Sequence, residues 1–321
     1  MLLNRLSVFP ASWTLDAAAT VCAGDGILPQ DMLDLLSRLV SKSLLALECG
    51  WAGERRYQIL ETVRHYAWER LAAAGDGDLL RNRHTAFFCA EFKSALPILR
   101  GPEQVPCLRR LGREQGHVRA ALDWALDSAA LAGEGVELAG ALFWFWTKRG
   151  LFEEGRTWLE RAVALDTAPR TRARALIGLA HMHYFQGRQI GAAESAAAAL
   201  SLGRECGDPW VVSFALFLQA LTAFELGDYQ RALARAIEAR EAADESGDQV
   251  QHGGPLMILA NVALFEGDHG RAQQLYDESI EVHRRAGDKW GLSILLSIGP
   301  AHRAERLRAG PRASRRGDLV V

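Results

Sequence analysis

The sequence predicts a mainly α-helical protein, in which a winged helix with a small β-hairpin precedes an α-α superhelix built from stacked pairs of helices. The first observation behind this prediction is a set of glycine residues that recur every 40 positions between residues 187 and 287. A fixed period of this length is typical of a solenoid. The second observation is a pair of short segments near the amino terminus in which apolar and polar residues alternate, as in strands. Helical patterns flank these segments.

Two columns of glycine residues define the repeat. In each column the glycines lie 40 residues apart, and five of the six are followed by an aspartate. Glycine ends a helix in the left-handed conformation without a steric penalty, and an aspartate that caps the next helix contributes about 1 kcal/mol. Each repeat is therefore predicted as helix, short turn, helix. The columns are Gly187, Gly227 and Gly267, and Gly207, Gly247 and Gly287.

Small residues recur in the same register, where paired helices must approach each other. In the middle repeat, helices are predicted over Val211–Leu226 and Tyr229–Ser246, with Ala220 and Ala232 facing the seam. The motif G-D-Y-x-x-A that begins at Gly227 resembles the tetratricopeptide repeat (TPR). The period of 40 residues, expected over residues 171–298, exceeds the usual ~34 of that family and implies longer helices or turns.

Composition favours a cytoplasmic protein with two or three domains. The 321 residues are 49% hydrophobic, which is ample for a core, and no apolar run is long enough to span a membrane. The opening residues lack the pattern of a signal peptide, and five scattered cysteines suit a reducing compartment. A net charge of −2 excludes a globally basic nucleic-acid-binding protein.

Residues 1–75 are predicted to form the winged-helix domain. Two helices come first, two strands then flank a glycine-containing turn, and a further helix follows directly. This order is the layout of a winged helix. The predicted helices are Leu15–Cys22, Asp31–Val40 and Glu61–Ala73, and the predicted strands cover 43–48 and 56–60.

The helix over residues 31–40 is the candidate recognition helix. It offers Arg38, followed by Lys42, against Asp31 and Asp34. Neutralisation of DNA phosphates needs more positive charge than this, so direct DNA contact is disfavoured and packing against protein is the preferred interpretation. The apolar positions predicted to face inward are Leu33, Leu36, Leu39 and Val40.

Several segments resemble bacterial STAND regulators, which are signal-transduction ATPases with numerous domains. RLSVF (Arg5–Phe9), LVSKSLL (Leu39–Leu45) and YQILETVRHYA (Tyr57–Ala67) are similar to their winged helix. RAALDWA (Arg119–Ala125) and GRTWLERA (Gly155–Ala162) are similar to their linker helices. The resemblance implies part of a transcriptional regulator of the LuxR or SARP type, whose winged helix docks on a nucleotide-binding domain.

The P-loop ATPase module of that family is not expected in this chain. None of the four lysines follows a glycine, so no G-K-[ST] motif is present to bind phosphates. The chain is assigned no cofactor, and ATP or ADP would be bound only by a domain supplied elsewhere. In related switch proteins a Met-His-Asp motif of the winged helix senses the nucleotide. In this chain the place that resembles the Met-His-Asp motif is taken by Ile59, Leu60 and Glu61. The side chain of Leu60 cannot donate a hydrogen bond to a phosphate, and Glu61 has Arg64 as a local partner.

Residues 76–170 are predicted as a helical connector with a degenerate repeat, and residues 299–321 as a basic, disordered tail. Connector helices are expected over 79–99 and 105–126, and the degenerate repeat over 137–165. The aromatic run Phe143–Trp146 is predicted to be buried at the junction with the repeats rather than to line a ligand site.

No catalytic or metal-binding constellation is apparent, so the chain is not expected to be an enzyme. The motifs C-x-x-C, H-E-x-x-H and G-x-S-x-G do not occur. His181 and His183 lie two residues apart, which on a helix directs them away from each other.

Stacked helix pairs leave a concave surface lined by the first helix of each pair, and this groove is the predicted binding site. Its lining is mainly apolar, which favours an apolar or helical partner segment. The alternative is that packing between neighbouring helices buries much of the same set. The predicted groove residues are Ile177, His181, Tyr184, Phe217, Leu221, Phe224, Met257, Asn261 and Leu264.

The preferred function is that of a non-catalytic regulatory and sensor portion of a STAND-type transcriptional regulator. The repeats are expected to bind a protein or a small-molecule signal, and the winged helix is expected to dock on a nucleotide-binding domain in cis or in trans. Two alternatives stay open, namely a free-standing TPR adaptor for protein-protein interaction and DNA binding by the winged helix. None of these functions involves a membrane.

Overall fold

The structure, a computed structural model, describes residues 1–49 and 53–298. The chain divides into two units. Unit one comprises Met1–Leu96 and Cys107–Ala139, and unit two comprises Pro97–Pro106 and the residues from Gly140 onward. The predicted connector contributes residues to both units. The predicted basic tail lies outside the described residues.

Unit one begins with the predicted winged helix. Its three strands form an antiparallel sheet in the order β1-β3-β2. Tyr57 stands at the centre of this sheet, because it pairs with Trp13 on one side and with Leu47 on the other. The elements are α1 (Leu2–Leu6), β1 (Trp13–Thr14), α2 (Leu15–Cys22), α3 (Met32–Ser41), β2 (Leu45–Cys49), β3 (Arg55–Ile59) and α4 (Glu61–Ala73).

Two features of the winged helix differ from the sequence prediction. Strand β1 was not predicted, because two residues are too few for an alternating pattern to be recognised. Leu33 was predicted to face inward but is 45% exposed. Met32 and Leu36 are the fully buried residues of α3, and their spacing of four defines its core face.

A buried arginine organises the loop that follows α2. The guanidinium of Arg5 donates hydrogen bonds to the carbonyl oxygens of Cys22 and Gly24, at 2.9 and 2.7 Å, and contacts the Asp25 carboxylate at 2.7 Å. Asp25 has a positive φ of 48°, which is uncommon for a residue other than glycine. The three contacts hold this turn in place and give both terminal nitrogens of the buried guanidinium hydrogen-bond partners.

The helices after the winged helix are α5 (Gly77–Ala95), α6 (Gln104–Arg113), α7 (Gln115–Asp127) and α8 (Ala132–Arg149). Within unit one, α5 packs against α2 and α7. The single helix predicted over 105–126 is divided into α6 and α7 at Glu114. The carboxylate of Glu114 contacts the Arg56 guanidinium of β3 at 2.7 Å, a long-range contact that helical periodicity does not reveal.

Unit two is a TPR-like stack of helices, as predicted. Each helix from α9 to α16 packs against the next, and the first helices of successive pairs, α10, α12 and α14, also contact each other. Most of these helices have 17 or 18 residues, so longer helices account for the period of 40. The elements are α9 (Phe152–Val163), α10 (Pro169–Phe185), α11 (Gln189–Glu205), α12 (Pro209–Glu225), α13 (Tyr229–Ser246), α14 (Gly253–Phe265), α15 (His269–Ala286) and α16 (Lys289–Ile298).

The turns between these helices follow the predicted chemistry. All six glycines of the two columns have positive φ, between 59° and 85°. The side chains of Asp228 and Asp268 accept hydrogen bonds from the backbone N–H groups of Arg231 and Arg271, at 3.1 and 3.0 Å. The left-handed glycine is therefore confirmed at all six positions, and the aspartate cap is confirmed at Asp208, Asp228, Asp248 and Asp268. The turn at Gly187 has Arg188 in the cap position, without a side-chain cap.

The aromatic run of α8 is largely buried in unit two, as predicted. Phe143, Phe145 and Trp146 are buried, and an added Cβ at Gly155 would lie 3.0 Å from the Trp146 ring. The glycine therefore allows α9 to approach this ring closely. None of the helices in residues 1–49 and 53–298 has the length and apolar character that a membrane span needs.

Candidate functional site

A cavity of about 260 Å³ lies within unit two; we call it the repeat cavity. The first helices of three successive pairs, α10, α12 and α14, contribute to its walls, and α16 contributes as well. These helices face one another because the stacking places every first helix on the same side of the repeat. The periodicity of the sequence therefore produces a shared lining from residues about 40 positions apart.

Seven of the nine predicted groove residues line the repeat cavity. They are His181, Tyr184, Phe217, Leu221, Phe224, Met257 and Asn261. Ile177 and Leu264 lie outside its lining and are buried. Leu264 packs in a cluster with Ala263 and Ala272 instead. Whether the seven residues bind a partner stays a prediction.

Aromatic rings that the sequence argument did not assign to the groove complete the cavity wall. Trp144 lies 5.9 Å from Phe214 and 6.1 Å from Trp290, measured between ring centroids. Phe214 in turn lies 5.8 Å from Phe217. The aromatic density of Phe143–Trp146 was a signal for Trp144, but no pattern in the sequence connects α8 with Trp290.

His181 is a neutral ring at the aromatic wall. Burial, together with the positive charge of Lys148, lowers the pKa of His181 to about 3. Its Nδ1 lies 3.1 Å from the Thr147 hydroxyl, whose own proton is donated to the Phe143 carbonyl at 2.7 Å. The hydroxyl oxygen must then accept from Nδ1–H, which leaves Nε2 of His181 as a hydrogen-bond acceptor.

Charged side chains that line the repeat cavity have ionic partners within unit two. The Lys148 ammonium contacts Asp288 at 3.1 Å, and Nδ1 of His283 lies 3.1 Å from the other oxygen of the same carboxylate. Burial alone would raise the pKa of Asp288, but the hydrogen bond to His283 and the charge of Lys148 lower it to about 2. Arg100 contacts Asp248 at 2.5 Å. The charges are therefore compensated within unit two.

The proposed switch positions lie at the start of α4 in unit one. Leu60 immediately precedes the helix and is 57% exposed. Arg64 donates two hydrogen bonds to the Glu61 carboxylate, at 2.6 and 3.0 Å. The hydrogen bonds from Arg64 lower the pKa of Glu61. The pair is local to the first turn of α4.

Arg64 also lines a second cavity, of about 550 Å³, within unit one. The Arg81 guanidinium stands over the rings of Trp68 and Trp124, at 4.3 and 4.7 Å from their centroids. Asp123 and Asp127 line the cavity together with the two arginines, so that both signs of charge are represented. Nothing in the sequence pattern indicated this second cavity.

The family model of the winged helix-turn-helix domain matches residues 1–72. Residues 1–72 form a winged helix-turn-helix domain. Proteins of Mycobacterium bovis and Mycobacterium tuberculosis named "Putative HTH-type transcriptional regulator" are 32% identical over 254 residues, which is 76% of this chain and 28% of each relative. The chain is homologous to these regulators, and it spans 28% of their length.

Two crystal structures share the fold of this chain. A STAND protein with a tetratricopeptide repeat sensor from Pyrococcus horikoshii has a TM-score of 0.51 and 17% identity, covering 96% of this chain and 47% of that protein. Aspartyl phosphate phosphatase F from Bacillus subtilis has a TM-score of 0.52 and 13% identity, covering 88% of this chain and 69% of that protein. At these identities the likeness concerns the fold alone.

Proposed function

We propose that this chain is the regulatory and sensor portion of a STAND-type transcriptional regulator of the LuxR or SARP type. The observation that carries the proposal is the repeat cavity, in which side chains from α10, α12 and α14 converge on one space. The homologous regulators support a regulatory role, and the fold of the Pyrococcus horikoshii protein supports a sensor role for the repeats. In this proposal the repeats bind a protein or small-molecule signal.

Signal binding regulates by shifting an equilibrium between two arrangements of the regulator. In one arrangement the winged helix is docked on a nucleotide-binding domain, and in the other it is released. A ligand that binds the released arrangement more tightly favours release, by the difference between its binding free energies for the two arrangements. ATP or ADP belongs to the nucleotide-binding domain, supplied in cis or in trans. The chain described here performs no catalytic step in this scheme.

The surface of the winged helix supports docking on protein. Leu33 on α3 and Leu47 on β2 are both exposed large apolar side chains. Exposed cations on the same helix are few, with Arg38 and the following Lys42 set against Asp34. An apolar surface of this kind suits a protein interface better than the phosphates of DNA.

A co-purification experiment tests the docking. The coding sequence next to that of this chain is searched for a P-loop ATPase, and its product is co-expressed with the full chain. Leu33→Asp is expected to reduce co-purification about tenfold, because it places a charge in the interface. Leu226→Asp, at an exposed position of unit two, is the matched control.

Three outcomes separate the candidate functions. Equal co-purification of the two variants contradicts docking through α3. The lack of any neighbouring P-loop ATPase, together with capture of other proteins through the repeats, favours the free-standing adaptor. A salt-dependent mobility shift of duplex DNA that Arg38→Glu removes favours DNA binding by the winged helix.

A further inference from the structure

Equivalent aspartates in two successive repeats, Asp208 and Asp248, are contacted in different ways. Asp208 contacts Arg170 at 2.8 Å, and Arg170 lies 38 residues earlier in the chain, in α10. The residue 38 positions before Asp248 is Trp210 of α12, whose indole N–H donates to the carboxylate at 3.1 Å. An indole supplies a hydrogen bond but no charge. The repeat therefore supplies no positive charge to Asp248 from this position.

The positive charge at Asp248 comes from outside the repeats. Arg100 belongs to the segment Pro97–Pro106, which is part of unit two although the residues on both sides of it belong to unit one. Its guanidinium contacts both oxygens of Asp248, at 2.5 and 3.2 Å, and its Cζ lies 5.5 Å from the centroid of the Trp144 ring. Bidentate contact with a carboxylate and an aromatic face both favour arginine over lysine. We call Asp248, Trp144 and Trp210 the guanidinium site.

The guanidinium site has contacts of its own that do not involve Arg100. The indole N–H of Trp210 donates to Oδ2 of Asp248 at 3.1 Å, and the backbone N–H of Val250 donates to Oδ1 at 3.2 Å. Both carboxylate oxygens therefore keep one neutral donor when the guanidinium leaves. Such a preorganised carboxylate can bind a second guanidinium with little further loss of conformational freedom.

The ion pair of Arg100 with Asp248 is accessible to solvent, whereas the pair of Lys148 with Asp288 is not. The side chains of Arg100 and Asp248 are 20% and 21% exposed, and those of Lys148 and Asp288 are 1% and 4% exposed. A partner can therefore reach the Asp248 carboxylate. Exchange of one guanidinium for another leaves the carboxylate neutralised, so it avoids the large cost of removing one member of an ion pair.

The repeat cavity adjoins the guanidinium site, because both Arg100 and Trp144 line it. Phe217 and Met257 give other parts of its lining an apolar character. The volume of about 260 Å³ is below the range of about 300 to 1,000 Å³ found for drug-sized ligands, so the cavity suits one apolar side chain of a protein. A chain segment that places an arginine in the guanidinium site can therefore bury a neighbouring apolar side chain in the cavity.

We propose that a protein partner binds the repeats by placing an arginine in the guanidinium site and an apolar side chain in the repeat cavity, and that Arg100 occupies the site until the partner displaces it. This inference rests on the proposed sensor function and specifies its signal as an arginine-containing protein segment. Displacement of Arg100 frees the segment Pro97–Pro106 from Asp248. Because this segment follows α5 of unit one in the chain, binding at the repeats changes the restraint on the end of that helix.

The test uses three dipeptides, acetylated at one end and amidated at the other, with the full chain. Arg-Phe supplies the guanidinium and an apolar side chain; citrulline-Phe replaces the guanidinium with a neutral group of nearly the same shape; Arg-Gly lacks the apolar side chain. Calorimetric titration measures their binding to the unaltered chain and to Arg100→Ala, which vacates the guanidinium site. Arg-Phe is expected to bind Arg100→Ala about tenfold more tightly than either other peptide does, and about tenfold more tightly than it binds the unaltered chain.

Further variants locate the binding at Asp248. Asp248→Asn, added to Arg100→Ala, keeps an oxygen for the backbone N–H of Val250 but removes the charge, so the preference for Arg-Phe over citrulline-Phe should disappear. Arg170→Ala removes an arginine from the equivalent Asp208 and is the matched control; it is expected to bind Arg-Phe as weakly as the unaltered chain does. Circular dichroism establishes that each variant is folded.

A measurement on the unaltered chain tests the displacement without any variant. Phenylglyoxal, in excess over the peptide, modifies accessible guanidinium groups, and mass spectrometry compares its rate at Arg100 with its rate at Arg170. The side chain of Arg170 is 63% exposed and serves as the internal standard. Saturating Arg-Phe is expected to raise the ratio of the two rates severalfold, because Arg100 leaves Asp248, whereas citrulline-Phe is expected to leave the ratio unchanged.

Each result decides the proposal. If Arg100→Ala binds Arg-Phe and citrulline-Phe equally, or binds no peptide, the guanidinium site is rejected. Equal binding of Arg-Phe and Arg-Gly assigns the site to small guanidinium compounds and overturns the protein partner. An unchanged modification ratio, or equal binding of Arg-Phe with and without Arg100, overturns the displacement. Co-purification with the P-loop ATPase is measured on the same preparations, so that failed peptide binding with intact co-purification rejects this class of partner while the docking function stands.

Discussion

Nε2 of His84 lies 3.2 Å from Nδ1 of His117 in the interior of unit one. Nε2 of His117 lies 3.0 Å from the Ser12 carbonyl oxygen, which can only accept. His117 therefore carries its proton on Nε2, and its Nδ1 accepts the proton of His84. Burial lowers the pKa of His117 to about 4, and burial with the charge of His117 lowers the pKa of His84 well below its usual value. Both rings are neutral in the folded protein.

This histidine pair predicts that acid destabilises unit one. The pKa of His117 is lower in the folded protein than the usual 6.5, so the unfolded chain binds more protons between pH 6.5 and pH 4. Stability must then decrease as the pH falls through this window. For His117 alone, the free energy of unfolding is expected to fall by about 2 kcal/mol between pH 7 and pH 5. Denaturant titration at each pH measures it.

Substitution separates this effect from general acid sensitivity. His117→Phe retains the ring that stacks on Phe88 but has no titratable group, so the slope of stability against pH should become smaller. His65→Gln, at an exposed histidine of α4, should leave the slope unchanged. An unaltered slope in His117→Phe would contradict the assignment of the acid sensitivity to this pair.

The seam between paired helices should not tolerate a larger side chain. Ala232 is fully buried against α12, so Ala232→Leu is expected to cost about 1 to 3 kcal/mol through overpacking. Ala198→Leu makes the same change on the exposed face of α11 and should alter stability by less than about 0.5 kcal/mol. Chemical denaturation of both variants provides the comparison. Equal effects would mean that the seam is not closely packed.

Two glycine-to-alanine changes should have opposite signs. Alanine is the better helix former by about 1 kcal/mol, so Gly270→Ala in α15 should stabilise unit two, since its Cβ would meet no atom closer than 3.8 Å. At Gly155 the new Cβ would lie 2.8 Å from Met182 Sδ and 3.0 Å from the Trp146 ring. Gly155→Ala should therefore destabilise. Thermal unfolding measures both, and an increase in Tm for Gly155→Ala would refute the close contact of α9.

The buried pair Lys148–Asp288 should be sensitive to the loss of one partner. The two side chains are 1% and 4% exposed, so Lys148→Met leaves a buried carboxylate without its main counter-charge and is expected to cost about 3 to 5 kcal/mol. The double variant Lys148→Met/Asp288→Asn removes the charge as well and should recover most of this loss. If the double variant is no more stable than the single one, the cost arises from lost packing of the lysine chain.

The sequence predicted accurately those helices whose ends are set by residues adjacent in the chain. Helix α13 begins after its cap Asp228 and ends at Gly247, which has a φ of 69°. Both signals are contained in the sequence of the turn. Strand β1 and the break between α6 and α7 were missed, because they depend on the pairing of Trp13 with Tyr57 and on the contact of Glu114 with Arg56.

The same distinction applies to the candidate site. His181, Leu221 and Asn261 were predicted together, because the period of 40 places residues of successive first helices on one face. Arg100 also lines the cavity but comes from a segment with no shared period. Its proximity to the repeats depends on the tertiary fold, which a local sequence pattern does not specify.

The sequence alone determined that helices would pair at a constant interval and which face of each first helix would be apolar, because capping, glycine conformation and helical periodicity act over a few residues. Only the tertiary structure decided that Trp144 and Trp290 close the wall, that Lys148 neutralises Asp288, and that Asn261 and Gln251 each keep one unpartnered atom. Those relationships join residues as many as 146 positions apart along the chain. Burial and hydrogen bonding between such residues depend on the packed arrangement of the whole unit.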